Sequence, residues 1–326
     1  MSRNPKNRRR EPIPVPEPAV LPDPETIDAE AIFNEYAAGG IDLVAVVGPT
    51  ASGKTRYAVA LADKFRELGR PAEILSADSR QVYVGMDIGT GKDLKEYGDV
   101  PYHLIDIVPA GTRFDLFQWQ QAFEKAYEEV RSRGAIPVLC GGTGLYVQAA
   151  TCGYTLPQVP PDEELRAQLF ELDTEELIAR LSEFGPLPDE GVLQSKRRIV
   201  RALEVALYEK DHPVKRSSFL PKKPYFIGTL VSREERNARI DRRLDERLAE
   251  GMVDEVKGLI ASGIAPEDLM YYGLEYKFLT QYVLGILSFD EMRTLLSNAI
   301  HQFAKRQMTW FRGMEKSGAV IHWTEV

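Results

Sequence analysis

Between residues 41 and 326 the chain moves between two rhythms of apolar and polar positions. Short β-rich runs at 43–47, 73–76, 136–140 and 225–231 alternate with stretches of helical spacing. That alternation predicts an α/β fold built on a mostly parallel sheet. Helices are predicted at 54–68, 115–133 and 233–250, the last carrying Ile240, Leu244 and Leu248 along one face. Residues 154–222 break the rhythm: they are helical in pattern, rich in charge and punctuated by Pro157, Pro160, Pro161, Pro186 and Pro188. They read as a helical insertion, which leaves 41–153 and 223–326 as the core. A further amphipathic helix is predicted at 288–312, followed by an edge strand at 320–324. No internal repeat is visible.

Residues 1–40 lack this patterning. The first 30 hold seven of the chain's 21 prolines, with five basic residues in the first ten and six acidic ones in the next twenty. Such a composition cannot build a core, and 1–40 is expected to be a disordered extension. No apolar run approaches the ~20 residues that span a bilayer, so no membrane association is expected. Nor does an apolar stretch follow the basic start, as a secretory signal would require. Two cysteines, Cys140 and Cys152, exclude a disulfide framework and fit a reducing cytoplasm. His103, His212, His301 and His322 have no metal-ligand spacing.

A net charge of −8 argues against indiscriminate coating of nucleic acid. The charge is uneven, however. Residues 191–223 hold nine Lys/Arg against three Asp/Glu, a net of +6. A local polyanionic partner is the natural reading. No feature calls for an obligate protein partner.

The most specific chemistry follows the first predicted strand. Gly48, Pro49, Thr50, Ala51, Ser52, Gly53, Lys54 and Thr55 match the phosphate-loop pattern in full, between a strand and a helix as that pattern demands. Backbone N–H groups and the helix N-terminus would point at anionic oxygens, with Lys54 adding charge and the Thr55 hydroxyl able to ligate Mg²⁺. The fold expected is therefore a P-loop NTPase-like core with an inserted helical domain. The loop does not specify which phosphate it holds. The run at 136–140 ends in Gly141-Gly142-Thr143-Gly144 and lacks the aspartate with which kinase-like proteins help hold Mg²⁺. Asp78 lies just past the second predicted strand and should face the phosphate loop. It is read either as a general base for an amine or hydroxyl, or as a helix cap or a carboxylate that holds a Mg²⁺-bound water. The Thr143 hydroxyl could meet a phosphate oxygen or the attacking group.

Seven stretches together resemble the tRNA dimethylallyltransferases, or tRNA isopentenyltransferases. They are GPTASGKT (48–55), SADSRQVYVGMDIGTGK (76–92), YHLIDI (102–107), CGGTGLY (140–146), RRIVRALEV (197–205), REERNARIDRRL (233–244) and AKRQMTWFRG (304–313). The resemblance spans 43–323 and implies transfer of a dimethylallyl group from its diphosphate to N6 of the adenosine just 3′ of the anticodon (tRNA position 37). It implies that the insertion holds the anticodon stem-loop. By position, Asp78 is implied as the base on the N6 amine, Lys54, Thr143 and Arg233 as the diphosphate clamp, and Thr55 as the Mg²⁺ contact. Asp78, Ser79, Arg80 and Gln81 fall in the stretch that meets the target nucleotide. Arg197, Arg198, Ile199, Val200 and Arg201 fall in a second tRNA-contacting stretch. Three departures stand out: Gly91-Lys92-Asp93 where Ala-Lys-Pro is frequent, Gln194-Ser195 where Asn-Asp is usual, and a short insertion. The first is expected to lie outside the chemistry, the other two to affect the grip on tRNA.

Other basic and aromatic positions have competing readings. Arg239, Arg243 and Arg247 are spaced to contact RNA or to pair with Asp241, Glu246 or Glu250 on the surface. Phe303, Met308 and Phe311 are expected in the core, Lys305, Arg306 and Arg312 on phosphates, and His301 and His322 in structural roles. The rival functions are a transferase acting on free AMP, ADP or ATP, an RNA-binding protein without transferase activity, and a small-molecule kinase.

Overall fold

A computed structural model describes residues 21–152, 157, 159–188, 190–212 and 222–326. The expected extension is shorter than read. Helix α1 (Ala29–Ala37) begins where the Asp28 carboxylate accepts N–H bonds from Glu30 (2.9 Å) and Ala31 (3.1 Å). Its Ile32 and Tyr36 are buried against the next helix, and Phe33 meets Phe65 at 6.3 Å between ring centres. One capped turn with apolar residues four apart suffices to order this part, although proline and charge surround it. Residues 1–20 lie outside the described residues.

The first half of the core is β1 (Leu43–Val47), α2 (Lys54–Glu67), β2 (Ala72–Ser76), the two-residue β3 (Tyr83–Val84), β4 (Tyr102–His103) and β5 (Val108–Pro109). It continues through α3 (Leu116–Ser132), β6 (Ile136–Gly141) and α4 (Gly144–Thr151). The expected insertion contains α5 (Glu163–Glu171), α6 (Thr174–Ser182), α7 (Glu190–Leu193) and α8 (Lys196–Asp211). The chain returns through β7 (Pro224–Leu230), α9 (Arg233–Glu250), α10 (Met252–Ala261), α11 (Pro266–Leu269), α12 (Leu274–Val283), α13 (Phe289–Lys316) and β8 (Ile321–Glu325).

Six parallel strands form the main sheet in the order β4-β2-β6-β1-β7-β8, which leaves β8 at an edge as the sequence predicts. Every residue of β1, β2 and β6 is buried, because helices cover both faces. Along β1 the side chains alternate. Leu43, Ala45 and Val47 join a core with Trp119, Phe123 and Leu296, whereas Val44 and Val46 join another with Leu61 and Phe65 of α2. The loop after β1 leads to α2 on one face, and the loop after β6 leads to α4 on the other. The carboxyl ends of these adjacent strands therefore open a crevice, where parallel α/β sheets bind ligands.

The insertion has its own small core of Leu169, Leu177, Leu181, Ile199, Val200 and Leu203. Beside it lies Glu204, only 1% exposed. Its carboxylate accepts from the Asp162 N–H (2.7 Å), Arg166 (2.9 Å) and Arg201 (2.5 Å). Burial raises the Glu204 pKa, but these donors outweigh it and leave the group below the usual carboxylate range.

Candidate active site

The phosphate loop is shaped by two close approaches. At Gly48 a Cβ would fall 2.1 Å from Thr229 Oγ1 and 2.6 Å from Ser52 Oγ, so the loop can lie against β7 only with glycine there. Ser52, fully buried, shares a 2.6 Å hydrogen bond with Thr229. Gly53 takes a left-handed φ of 81° immediately before α2. Lys54 then opens the helix, its Nζ 3.4 Å from the Pro49 carbonyl. Burial pulls the Lys54 pKa below that of an ordinary lysine, and nearby Cys140 and Asp78 restore part of it. A partly desolvated ammonium of this kind gains most from an incoming anion.

Gln307 of α13 joins the two strand-end loops. Its Oε1 accepts the Thr50 N–H (2.8 Å) and its Nε2 donates to the Gly142 carbonyl (2.9 Å). A Cβ on Gly142 would meet that Nε2 at 2.4 Å. Past β2, the Asp78 carboxylate accepts the Arg80 N–H at 2.9 Å, a local turn that sets its direction. The Thr143 hydroxyl accepts the Ser79 N–H at 3.1 Å, and a Cβ on Gly141 would strike the Ala77 carbonyl at 2.3 Å. Gln81 accepts from Ser76 Oγ (3.0 Å) and donates to the Gly91 carbonyl (3.2 Å).

These groups line one cavity of about 600 Å³, which Lys54, Thr55, Asp78, Thr143, Arg243 and Arg247 share. Leu145, Tyr271, Phe303 and Trp310 supply apolar and aromatic wall. Burial, and the neighbouring charge of Arg247, push the Arg243 pKa down to about 10. Both arginines donate to one oxygen of Asp93, Arg247 at 3.4 Å.

The loop carrying Asp93 is pinned from behind. The Glu255 carboxylate accepts N–H bonds from Asp87 (2.8 Å), Ile88 (2.8 Å) and Gly89 (3.0 Å), and the Tyr276 hydroxyl donates to it at 2.6 Å. Lys92, almost wholly buried, donates to the Tyr83 carbonyl (2.7 Å) and to Asp87 (2.5 Å), and also to Asp106.

The arrangement suits an anionic group beside Lys54 and the arginines, a carboxylate able to take a proton, and an apolar fragment between them. The sequence profile of one family, IPP transferase, matches residues 81–314. The chain belongs to the IPP transferase family. Among relatives in that family, tRNA dimethylallyltransferase 2 of Bacteroides fragilis is 50% identical over 288 residues, covering 87% of this chain and 92% of that one. tRNA dimethylallyltransferase 1 of Geotalea daltonii is 48% identical over 286 residues, covering 87% and 91%. The crystal structure of a tRNA isopentenylpyrophosphate transferase from Bacillus halodurans superposes with a TM-score of 0.63 at 34% identity, covering 87% of this chain and 89% of that one. A eukaryotic dimethylallyltransferase acting on tRNA shares the fold, with a TM-score of 0.69 at 22% identity.

Within this family member the residues expected at the site divide into two groups. Lys54, Thr55, Asp78, Ser79, Arg80, Gln81 and Thr143 all line the cavity. Arg233 is exposed at the start of α9 and is not among the lining residues; Arg243 and Arg247, three and four turns on, reach the cavity instead. Arg239 pairs with Glu235 at 2.8 Å, one turn back along α9, and not with Asp241, Glu246 or Glu250, the partners expected for this run. In α8, Ile199 and Val200 are core residues, 0% and 2% exposed, and have no surface to offer RNA. Arg201 is committed to Glu204 and the Val159 carbonyl (2.9 Å), whereas Arg197 is exposed and Arg198 donates to the Gly191 carbonyl at 2.9 Å. Phe303, expected in the core, is 37% exposed on the cavity wall, because the helix face it occupies borders the cavity; Phe311 is fully buried. The Gly91-Lys92-Asp93 departure, expected to be remote from the chemistry, brings Asp93 onto the cavity's arginines. Gln307 lies in the AKRQMTWFRG stretch and Asp93 in a departure from the family pattern, but only the packing of distant segments reveals what each one holds.

Proposed function

We propose that this chain is a tRNA dimethylallyltransferase that moves the dimethylallyl group from dimethylallyl diphosphate to N6 of the adenosine 3′ of the anticodon. The observation that carries this reading is the meeting of a phosphate loop, a carboxylate and an aromatic wall in one cavity. The loop amides, Lys54, Arg243 and Arg247 bind the diphosphate. The bond from the allylic carbon to the diphosphate oxygen breaks, and its electron pair leaves on the diphosphate, where those cations stabilise the charge. The N6 lone pair forms the new C–N bond, and the N6 proton passes to Asp78. Thr143 positions Asp78 through the Ser79 N–H. Leu145, Phe303 and Trp310 pack on the dimethylallyl chain and the target base and exclude water.

Among the described residues no cluster of three or more His, Cys, Asp or Glu could hold a metal ion. The Thr55 hydroxyl, in the same cavity as Lys54 and Asp78, fits Mg²⁺ that takes most of its ligands from substrate phosphates and water. Bound there, Mg²⁺ would supply further charge stabilisation to the leaving diphosphate. The anticodon loop presents its adenine unpaired, so the base can enter the cavity without opening a duplex. Arg197 and its neighbours on the insertion would hold the stem. No helix among the described residues is long and apolar enough to cross a membrane, and a tRNA substrate suits a cytoplasmic enzyme.

The test is incubation with Mg²⁺, labelled dimethylallyl diphosphate and unmodified tRNA that reads codons beginning with U, beside reactions offering AMP or ATP. Label on the adenosine next to the anticodon is expected. Label on the free nucleotide, or on no acceptor, would overturn the reading.

A further inference from the structure

Asp93 occupies the place that an incoming anion would want. A single carboxylate oxygen receives hydrogen bonds from both Arg243 and Arg247, the guanidinium pair that shares the cavity with Lys54. The backbone is built to deliver it. Asp93 sits in the left-handed region at φ 43°, and Gly91, at φ 63°, lets Arg247 lie so close that a Cβ would fall 1.8 Å from its Nη2. Glu255 and buried Lys92 fix the rest of the loop, so the contact follows from the fold and not from the drift of a surface side chain. Two neighbouring guanidinia, both desolvated by burial, repel each other and gain from a carboxylate between them beside the one that Glu275 already brings near. The Asp93 side chain is itself 38% exposed and can turn to water at little desolvation cost.

Resting on the reading of this cavity as a diphosphate site, we propose that Asp93 is a built-in competitor for the Arg243–Arg247 pair. It offsets part of the pair's charge and gives the pair up when diphosphate arrives. A diphosphate brings several negative charges and cannot share the arginines with a carboxylate at no cost. Asp93 therefore lowers affinity for the donor and hastens release of the diphosphate product. A residue that merely held the loop in shape would do the reverse on removal, since losing it would disorder the arginines.

The experiment is calorimetric titration of inorganic diphosphate, with Mg²⁺, into the wild type, Asp93→Asn, Asp93→Gly, Asp93→Glu and Lys54→Ala. Asparagine and glycine both tolerate the left-handed backbone, and thermal melts check the fold of each variant. Asp93→Asn and Asp93→Gly are expected to bind diphosphate ~5-fold more tightly, as removal of a competing internal contact requires. Asp93→Glu, which keeps the charge, is expected to stay near the wild type. In steady state the KM for dimethylallyl diphosphate should fall in Asp93→Asn while kcat does not rise. Unchanged or weaker binding in both neutral variants, with wild-type binding intact and lost in Lys54→Ala, would overturn the competitor role alone. No diphosphate binding by the wild type would bring down the reading of the cavity, and this inference with it.

Discussion

Asp78 illustrates how a residue's role is set by what holds it. Its carboxylate is aimed by the Arg80 N–H, and the following N–H is fixed by Thr143, so the group can accept a proton without moving. Asp78→Asn keeps this geometry and removes the basicity. Turnover is expected to drop ~10²-fold or more, with tRNA affinity in a filter-binding assay nearly unchanged. Gln307 acts differently, since both of its side-chain hydrogen bonds go to backbone. Gln307→Leu removes both bonds between the Thr50 and Gly142 loops. It should raise the KM for dimethylallyl diphosphate ~10-fold, by analogy with the loss of two buried hydrogen bonds, while the pH profile of kcat stays as it was. Lys54, Thr55 and Asp78 were legible in the sequence because a contiguous motif, or a strand end beside one, determines where they point. Arg243 was legible only as one arginine in a periodic run. Which member of that run faces the cavity depends on how α9 is rotated against the sheet, and its local spacing does not encode that.

At the scale of elements, legibility followed burial. β1, β2, β6 and β7 stand out because central parallel strands are apolar on both faces, and α2, α3, α9 and α13 because one face of each is apolar. The two-residue strands β3, β4 and β5 are too short to show any period, and α4, apolar nearly all round, resembles a strand or a loop equally well. The insertion offers two element-scale tests. Glu204 has a folded pKa below its unfolded value, so its ion-pair stabilisation is present above the unfolded carboxylate pKa and is lost as pH falls through the folded one. In thermal melts Glu204→Gln should therefore be less stable than the wild type at pH 7, with the gap narrowing as pH falls below the usual carboxylate range. On α8, Arg197→Ala should weaken tRNA binding and reduce the slope of log affinity against log salt by ~1, the signature of one lost phosphate contact. An unchanged slope would remove Arg197 from the interface.

The molecule as a whole carries a net charge of −8, yet it gathers +6 within residues 191–223. A polyanion is thus disfavoured by the overall charge and favoured by one stretch of the chain, and such unevenness governs orientation and association rate more than total affinity. The phosphate loop, which reads in the sequence as wholly local, depends on the same long-range organisation. Thr50 and Gln307 are 257 positions apart, and the bond between them links the first strand's loop to the long helix that precedes the last strand. Closing a loop of that span costs entropy before the contact returns anything. A chain folded up to α12 would hold a complete sheet centre but a phosphate loop without its brace. Ligand that binds only the finished loop would then stabilise the final docking step by mass action. A diphosphate ligand would then act in folding as well as in catalysis, favouring the docked α13 because the loop that holds it is braced only once that helix has arrived.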